Sequence, residues 1–120
     1  MRQHLKILKA LGDRNRLRIM KMLEVKAMCV CEITAVLNLA PSTVSKHLSL
    51  LHDAELIEDR KEGKWVNYSL PKEARTPEAS EMLGFLRRSL GDALEVLADK
   101  EKTIAADRME LCGLSIKPSD

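Results

Sequence analysis

The stretch PSTVSKHLSLLHDAELIEDRKEGKWVNYSL, residues 41–70, changes its apolar period partway along. Val44, Leu48 and Leu51 recur at helical spacing, whereas Val66, Tyr68 and Leu70 alternate. The first pattern turns one stripe of a helix inward and the second turns one face of a strand inward. Leu56 and Ile57 open a first strand, Glu62-Gly63-Lys64 turns the chain, and the alternating run returns as a second strand. A helix that feeds a short hairpin is the unit around which the rest of the chain has to pack.

Upstream, Leu5, Leu8 and Leu11 mark a helical stripe ending near Gly12. Asp13 can cap a second helix, with Leu17, Met20, Leu23 and Val25 inward and Arg14, Arg16 and Lys21 outward. Residues 28–30 are short and β-prone, and a helix over about 31–38 follows with Ile33, Val36 and Leu37 inward. Asn38-Leu39-Ala40-Pro41 breaks it, and the next helix starts at Pro41 or Ser42 and runs to about Asp53. Residues 71–77 form a linker, and Thr76-Pro77-Glu78 reads as a cap followed by proline at the first helical position. Leu83, Leu86, Leu90, Leu94 and Leu97 then predict one long helix continuing past residue 100. The result is mainly α with a small β-hairpin, a winged helix-turn-helix plan. Residues 1–105 make up this domain and residues 106–120 a C-terminal tail.

At 120 residues the chain is a single domain with enough material for a core. No apolar run is long enough to cross a bilayer and no signal peptide is visible, so no membrane partner is expected. Three cysteines do not suggest a disulfide framework, and the expected location is the cytoplasm. The net charge of +2 says less than its distribution. Residues 1–26 carry a net +6, while residues 27–70 and 71–120 each carry −2. A basic end permits an anionic partner, although solvated helix faces look the same. No nucleophile–base constellation appears, so the chain is not read as an enzyme.

The helix over 41–53 carries the clearest chemistry. Opposite its apolar side it presents Ser42, Thr43, Ser45, Lys46, Ser49 and His52. Short hydroxyls at a helix N-terminus suit phosphates and base edges because they donate and accept without bulk. Arg60, Lys61 and Lys64 at the hairpin tip fit contact with a DNA backbone, with Glu58, Asp59 and Glu62 diluting the charge. Trp65 and Tyr68 are expected to pack the hairpin onto the helices rather than to stack on bases. His47, with no histidine partner nearby in sequence, reads as a structural or DNA-contacting group rather than a metal ligand.

LGDRNRLRIMKMLE, then CVCEI, then STVSKHLSLLHDAELIEDRKEGKWVNYSL resembles the ArsR/SmtB family of metalloregulatory repressors over roughly residues 5–100. The resemblance implies a homodimer joined through the first and last helices. It also implies binding to palindromic double-stranded operator DNA, with release when an inducer binds. It matches Ser42, Thr43, Ser45, Lys46 and His47 to the family's recognition-helix positions. Half-sites would lie roughly 34–36 Å apart.

Within that family the pair Cys29 and Cys31 resembles the arsenite- and soft-metal-responsive branch. Thiolates select soft ions, and trivalent arsenic takes three sulfurs. In a helix, residues two apart point about 200° from each other, whereas in an extended segment they share a face. Chelation by Cys29 and Cys31 therefore needs residues 28–31 to be non-helical, or to become so. Cys31 near a helix N-terminus would also favour its thiolate. The best-known arsenite box has another cysteine three residues on, where this chain has Thr34. Cys112 is the remaining thiol, from either subunit of a dimer. The expected inducer is As(III) or Sb(III), with no permanent cofactor. A soft divalent ion such as Cd, Pb or Zn, or thiol oxidation, is the alternative.

Overall fold

The computed structural model of the protein describes residues 1–106. In chain order the elements are α1 Arg2–Leu11, α2 Arg14–Leu23, β1 Met28–Cys29, α3 Val30–Leu37, α4 Pro41–Asp53, β2 Glu58–Glu62, β3 Trp65–Ser69, α5 Pro77–Arg87 and α6 Leu94–Ala105. The strands form an antiparallel sheet in the order β1-β3-β2. Asp59 and Met28 both pair with Tyr68, from opposite sides of β3. The expected two-stranded ribbon is thus widened by the short segment before α3, and the hairpin turns at Gly63, whose φ is +63°.

The expected caps form. Asp13 Oδ1 accepts the backbone N–H groups of Asn15 at 2.8 Å and Arg16 at 3.1 Å, and Thr76 Oγ1 accepts that of Ala79 at 3.0 Å. These satisfy donors that a helix start leaves without an internal partner. The α4 end closes with Glu55 in the left-handed region at φ +61°. Its N–H reaches His52 O at 2.9 Å, and that of Leu56 reaches Leu51 O at 3.1 Å. This reciprocal pair aims the chain from α4 into the hairpin.

The core is built from Ile7, Ile19, Met20, Met22, Met28, Ile33, Val44, Leu48, Leu51 and Leu56, all fully buried. The inward sides of α3 and α4 are those expected. In α1 they are not: Leu5 and Leu8 are each 58% exposed, and Ile7, Ala10 and Leu11 face the core. In α2, five successive residues from Ile19 to Leu23 are buried, because α1, α4, α5 and α6 all pack around it. Lys21, expected outside, is buried with its Nζ donating to Leu86 O at 2.7 Å and paired with Glu24 at 2.8 Å.

The single long final helix is corrected to two. Ser89 Oγ donates back to Phe85 O at 2.6 Å, and Leu90 takes φ +63° just before Gly91. A side chain that caps a carbonyl of the last turn, followed by a left-handed residue, ends a helix. Leu83 and Leu86 are buried, whereas Leu90, Leu94 and Leu97 are exposed. Helix α6 turns back onto α2 and α3 and buries Asp99 and Thr103 instead.

Candidate nucleic-acid interface and thiol site

Helices α3 and α4 form the helix-turn-helix. Asn38 closes α3 in the left-handed region, φ 58°, with its N–H on Thr34 O at 2.7 Å. Pro41 opens α4, where a missing N–H costs nothing. With Val44, Leu48 and Leu51 locked in the core, Ser42, Thr43, Ser45, Lys46 and Ser49 stand exposed on the outer face. Ala40 supplies no side-chain cap to the α4 N-terminus. Arg60, Lys61 and Lys64 are exposed on the hairpin.

His47 differs from its neighbours. Its ring is half-buried, and Arg16 Nη1–H donates to His47 Nδ1 at 3.0 Å. The apolar period of α2 puts Arg16 outward, and His47 has no histidine near it in sequence; the two are 31 positions apart, beyond any local pattern. At the other end of α4, His52 Nε2 lies 3.3 Å from Asp59 Oδ1, which draws one wing carboxylate toward the helix. Tyr68 packs on the core as expected, and its phenol is pushed up by burial and then by the Asp59 charge. Trp65 stays beside the turn, with Lys64 Nζ 5.9 Å from its ring centroid.

The cysteine pair straddles the junction of β1 and α3. Cys29 is the N-cap, extended at φ −91° and ψ 170°, while Val30 and Cys31 are already helical. Residues 28–31 are therefore only half extended. Cys29 and Glu32 make a capping box: the Glu32 side chain takes the Cys29 N–H at 2.9 Å, and the Cys29 side chain faces the Glu32 N–H. Glu32 is a residue of this site that sequence reading missed, although the spacing of three was its signal. Burial pushes the Cys29 thiol up; the Glu32 N–H pulls it back, and the Glu32 carboxylate opposes ionisation again. Thr34, in the place of a third cysteine, spends its hydroxyl on Val30 O and Cys31 O, both at 2.9 Å. Among the described residues no group of three or more His, Cys, Asp or Glu side chains is placed to hold a metal ion. Cys112 lies outside the described residues.

Comparison with known proteins bears on this arrangement. Residues 13–59 match the model described as bacterial regulatory protein, arsR family. The arsenical resistance operon repressor of Bacillus subtilis (strain 168) is 34% identical over 77% of this chain and 89% of its own length. The chain belongs to the ArsR family. A second relative, the arsenical resistance operon repressor of Escherichia coli (strain K12), is 40% identical over 55% of this chain; the match spans 57% of that protein's length. The solved structure described as reduced HlyU from Vibrio cholerae N16961 superposes with a TM-score of 0.62, at 31% identity, over 75% of this chain and 90% of that one. The winged helix-turn-helix and the ArsR/SmtB resemblance drawn from the sequence are borne out. The two curated relatives are described as operon repressors, and the α3–α4 unit lies within the residues that match the arsR family model.

Proposed function

We propose that the protein is a homodimeric repressor that binds a palindromic operator and leaves it when Cys29, Cys31 and Cys112 capture arsenite or antimonite. The observation that carries this reading is the place of Cys29: it caps α3, and α3 packs under α4. A ligand that pulls on that sulfur removes the capping box and works on the support of the DNA-reading helix.

DNA contact is assigned to Ser42, Thr43, Ser45, Lys46 and His47 on α4, and to Arg60, Lys61 and Lys64 on the wing. Dimerisation, expected through the first and last helices, is assigned to α1 and to α5, the first half of the long helix the sequence predicts, because α6 packs back onto α2 and α3. Helices α1 and α5 border a cleft of about 340 Å³ lined by Ile7, Leu8, Pro77 and Met82 with His4, Glu78 and Glu81 among them, and Leu5 and Leu8 expose apolar surface there.

The ion chemistry is a balanced exchange. Cys31 stands in a disulfide, so a thiol reductant has to reduce it first. Each thiol of the reduced protein then gives up its proton and displaces one hydroxide of arsenous acid, releasing one water per sulfur. Cys29 as it stands is held in the thiol form by burial, so capture has to be coupled to opening of the first turn of α3. That opening is also what lets Cys29 and Cys31 share an ion, since a helical Cys31 points away. Support for Cys112 of the same chain comes from Lys26, whose Nζ donates to Ala106 O at 2.7 Å and lies 3.6 Å from Glu32 Oε2. The chain thus leaves α6 beside the capping box, and six extended residues reach at most about 20 Å.

The test uses a palindromic duplex selected by the reduced protein from a random library, followed by fluorescence anisotropy. Arsenite is expected to release the wild-type protein at least tenfold more readily than Cys29→Ser or Cys31→Ser. Loss of release in Cys112→Ser supports the third sulfur. Release by cadmium or peroxide with no response to arsenite would move the reading to the soft-cation or redox alternative. A protein that selects no palindrome is not an operator-binding repressor.

A further inference from the structure

Arg16 leaves α2 at the corner where α1 ends. Its Nε–H donates to Ala10 O at 2.6 Å and its Nη2–H to Lys9 O at 3.4 Å. Both carbonyls belong to the last turn of α1, where a helix leaves acceptors without internal partners. The remaining arm donates to His47 Nδ1 at 3.0 Å. A guanidinium carries donors only and stays charged. Nδ1 is therefore the acceptor, and the proton of a neutral His47 ring sits on Nε2. One side chain so joins the end of α1 to the middle of α4, between exposed Lys46 and buried Leu48.

We propose that Arg16 is a positioning residue for operator recognition: through His47 it fixes the orientation of α4 relative to α1 and sets the tautomer in which His47 faces DNA. The inference rests on the reading of α4 as the DNA-contacting helix and of α1 as part of the dimer face. Two subunits reading a palindrome must hold two α4 helices in a fixed relation, roughly one DNA turn apart. A loose joint between α1 and α4 spoils that fit. It leaves the general attraction to phosphates, which needs no register, as it was.

The experiment compares wild type, Arg16→Met, His47→Leu, the double variant and His47→Asn. Affinity is measured for the selected palindrome and for a random duplex across a salt series. In Asn the side-chain oxygen can take the place of Nδ1 as acceptor for Arg16. Arg16→Met is expected to weaken palindrome binding about tenfold, with random-duplex affinity and salt slope unchanged, and His47→Leu, which also removes the ring's own contact with DNA, to weaken it at least as much. The double variant should be no weaker than the weaker single one, and His47→Asn should recover most of the loss. Nitrogen NMR of the His47 ring should show an unprotonated Nδ1 that disappears as a single population in Arg16→Met.

A salt slope reduced by about one in Arg16→Met would mean that Arg16 touches a phosphate itself, which overturns the proposal. So would additive effects in the double variant, or a His47→Asn protein as weak as His47→Leu. Because Arg16 also caps α1, its variant can lose stability; His47→Leu and His47→Asn both leave those carbonyl contacts in place and differ in the acceptor offered to Arg16, so the comparison of the two, with the His47 ring NMR, decides if Arg16→Met does not fold. A wild-type protein with no preference for any palindrome overturns the DNA-reading assignment and this inference with it, whereas the other outcomes overturn only the coupling.

Discussion

Asp13 shows how a single side chain carries local structure, electrostatics and position at once. Its slight burial works against the charged form, but the Arg16 N–H, the Arg16 charge and the Asn15 N–H outweigh that, and its carboxyl lies below the ordinary value of 3.8. A depressed carboxyl contributes stability that is complete above the unfolded pKa and is lost as pH falls through the folded one. Asn caps a helix as well as Asp but has no charge to offer the helix dipole. Asp13→Asn is therefore expected to cost about 0.3–1 kcal/mol at pH 7. In urea titrations the gap to wild type should close as pH drops below about 3.9. A gap that persists unchanged at pH 2 would show that the charge contributes nothing. Cys29 is the matching case on the other side. The sequence makes it a ligand candidate, and burial against Glu32 makes it a capping thiol that must be opened before it can bind anything.

Among the elements, α6 departs furthest from expectation, and one ion pair explains where it sits. Arg18 Nε and Nη2 donate to Asp99 Oδ2 and Oδ1 at 2.8 and 3.0 Å, and Asp99 is 3% exposed. Arg18 also reaches Asn15 Oδ1 at 3.1 Å, so the guanidinium is well supplied with acceptors. A two-armed contact of this kind fixes orientation as well as distance. Removing one partner strands a buried charge, which costs about 3–5 kcal/mol, whereas replacing both with apolar groups can be nearly neutral. Asp99→Ala is accordingly expected to lose about 3 kcal/mol, since the Arg18 side chain keeps 17% of its exposure and some contact with water. Arg18→Met with Asp99→Leu should regain most of that in chemical denaturation. If the double variant is as unstable as Asp99→Ala, the pair is not what holds α6 to α2. The leucines that predicted a continuous helix belong to two environments: Leu83 and Leu86 hold α5 in the core, while Leu94 and Leu97 lie on the outside of α6.

For the whole molecule, the exposed leucines of α1 matter most. Leu8 is 58% exposed beside the α1–α5 cleft, an arrangement that fits a second copy of the chain under the proposed dimer. Leu8→Glu should leave the melting temperature of the isolated fold nearly unchanged, within about 0.5 kcal/mol of stability. It should shift the sedimentation profile from dimer to monomer and remove the tight half-site pairing on DNA; a dimer that survives this change would move the interface elsewhere. The sequence by itself determined the helix-turn-helix and its wing, the exposed Ser42–Lys46 face, the caps at Asp13 and Thr76, and the place of Cys29 and Cys31 before α3. Each is written in a short window: an apolar period, a capping residue, a glycine turn. It did not determine which side of α2 is buried, where the last helix breaks, or what Arg16, Arg18, Lys21 and Lys26 hold. Their partners His47, Asp99, Leu86 and Ala106 lie 31, 81, 65 and 80 positions away. A periodic pattern reports one buried face, and α2 is enclosed by four helices, so only the assembled core could decide that a lysine points inward.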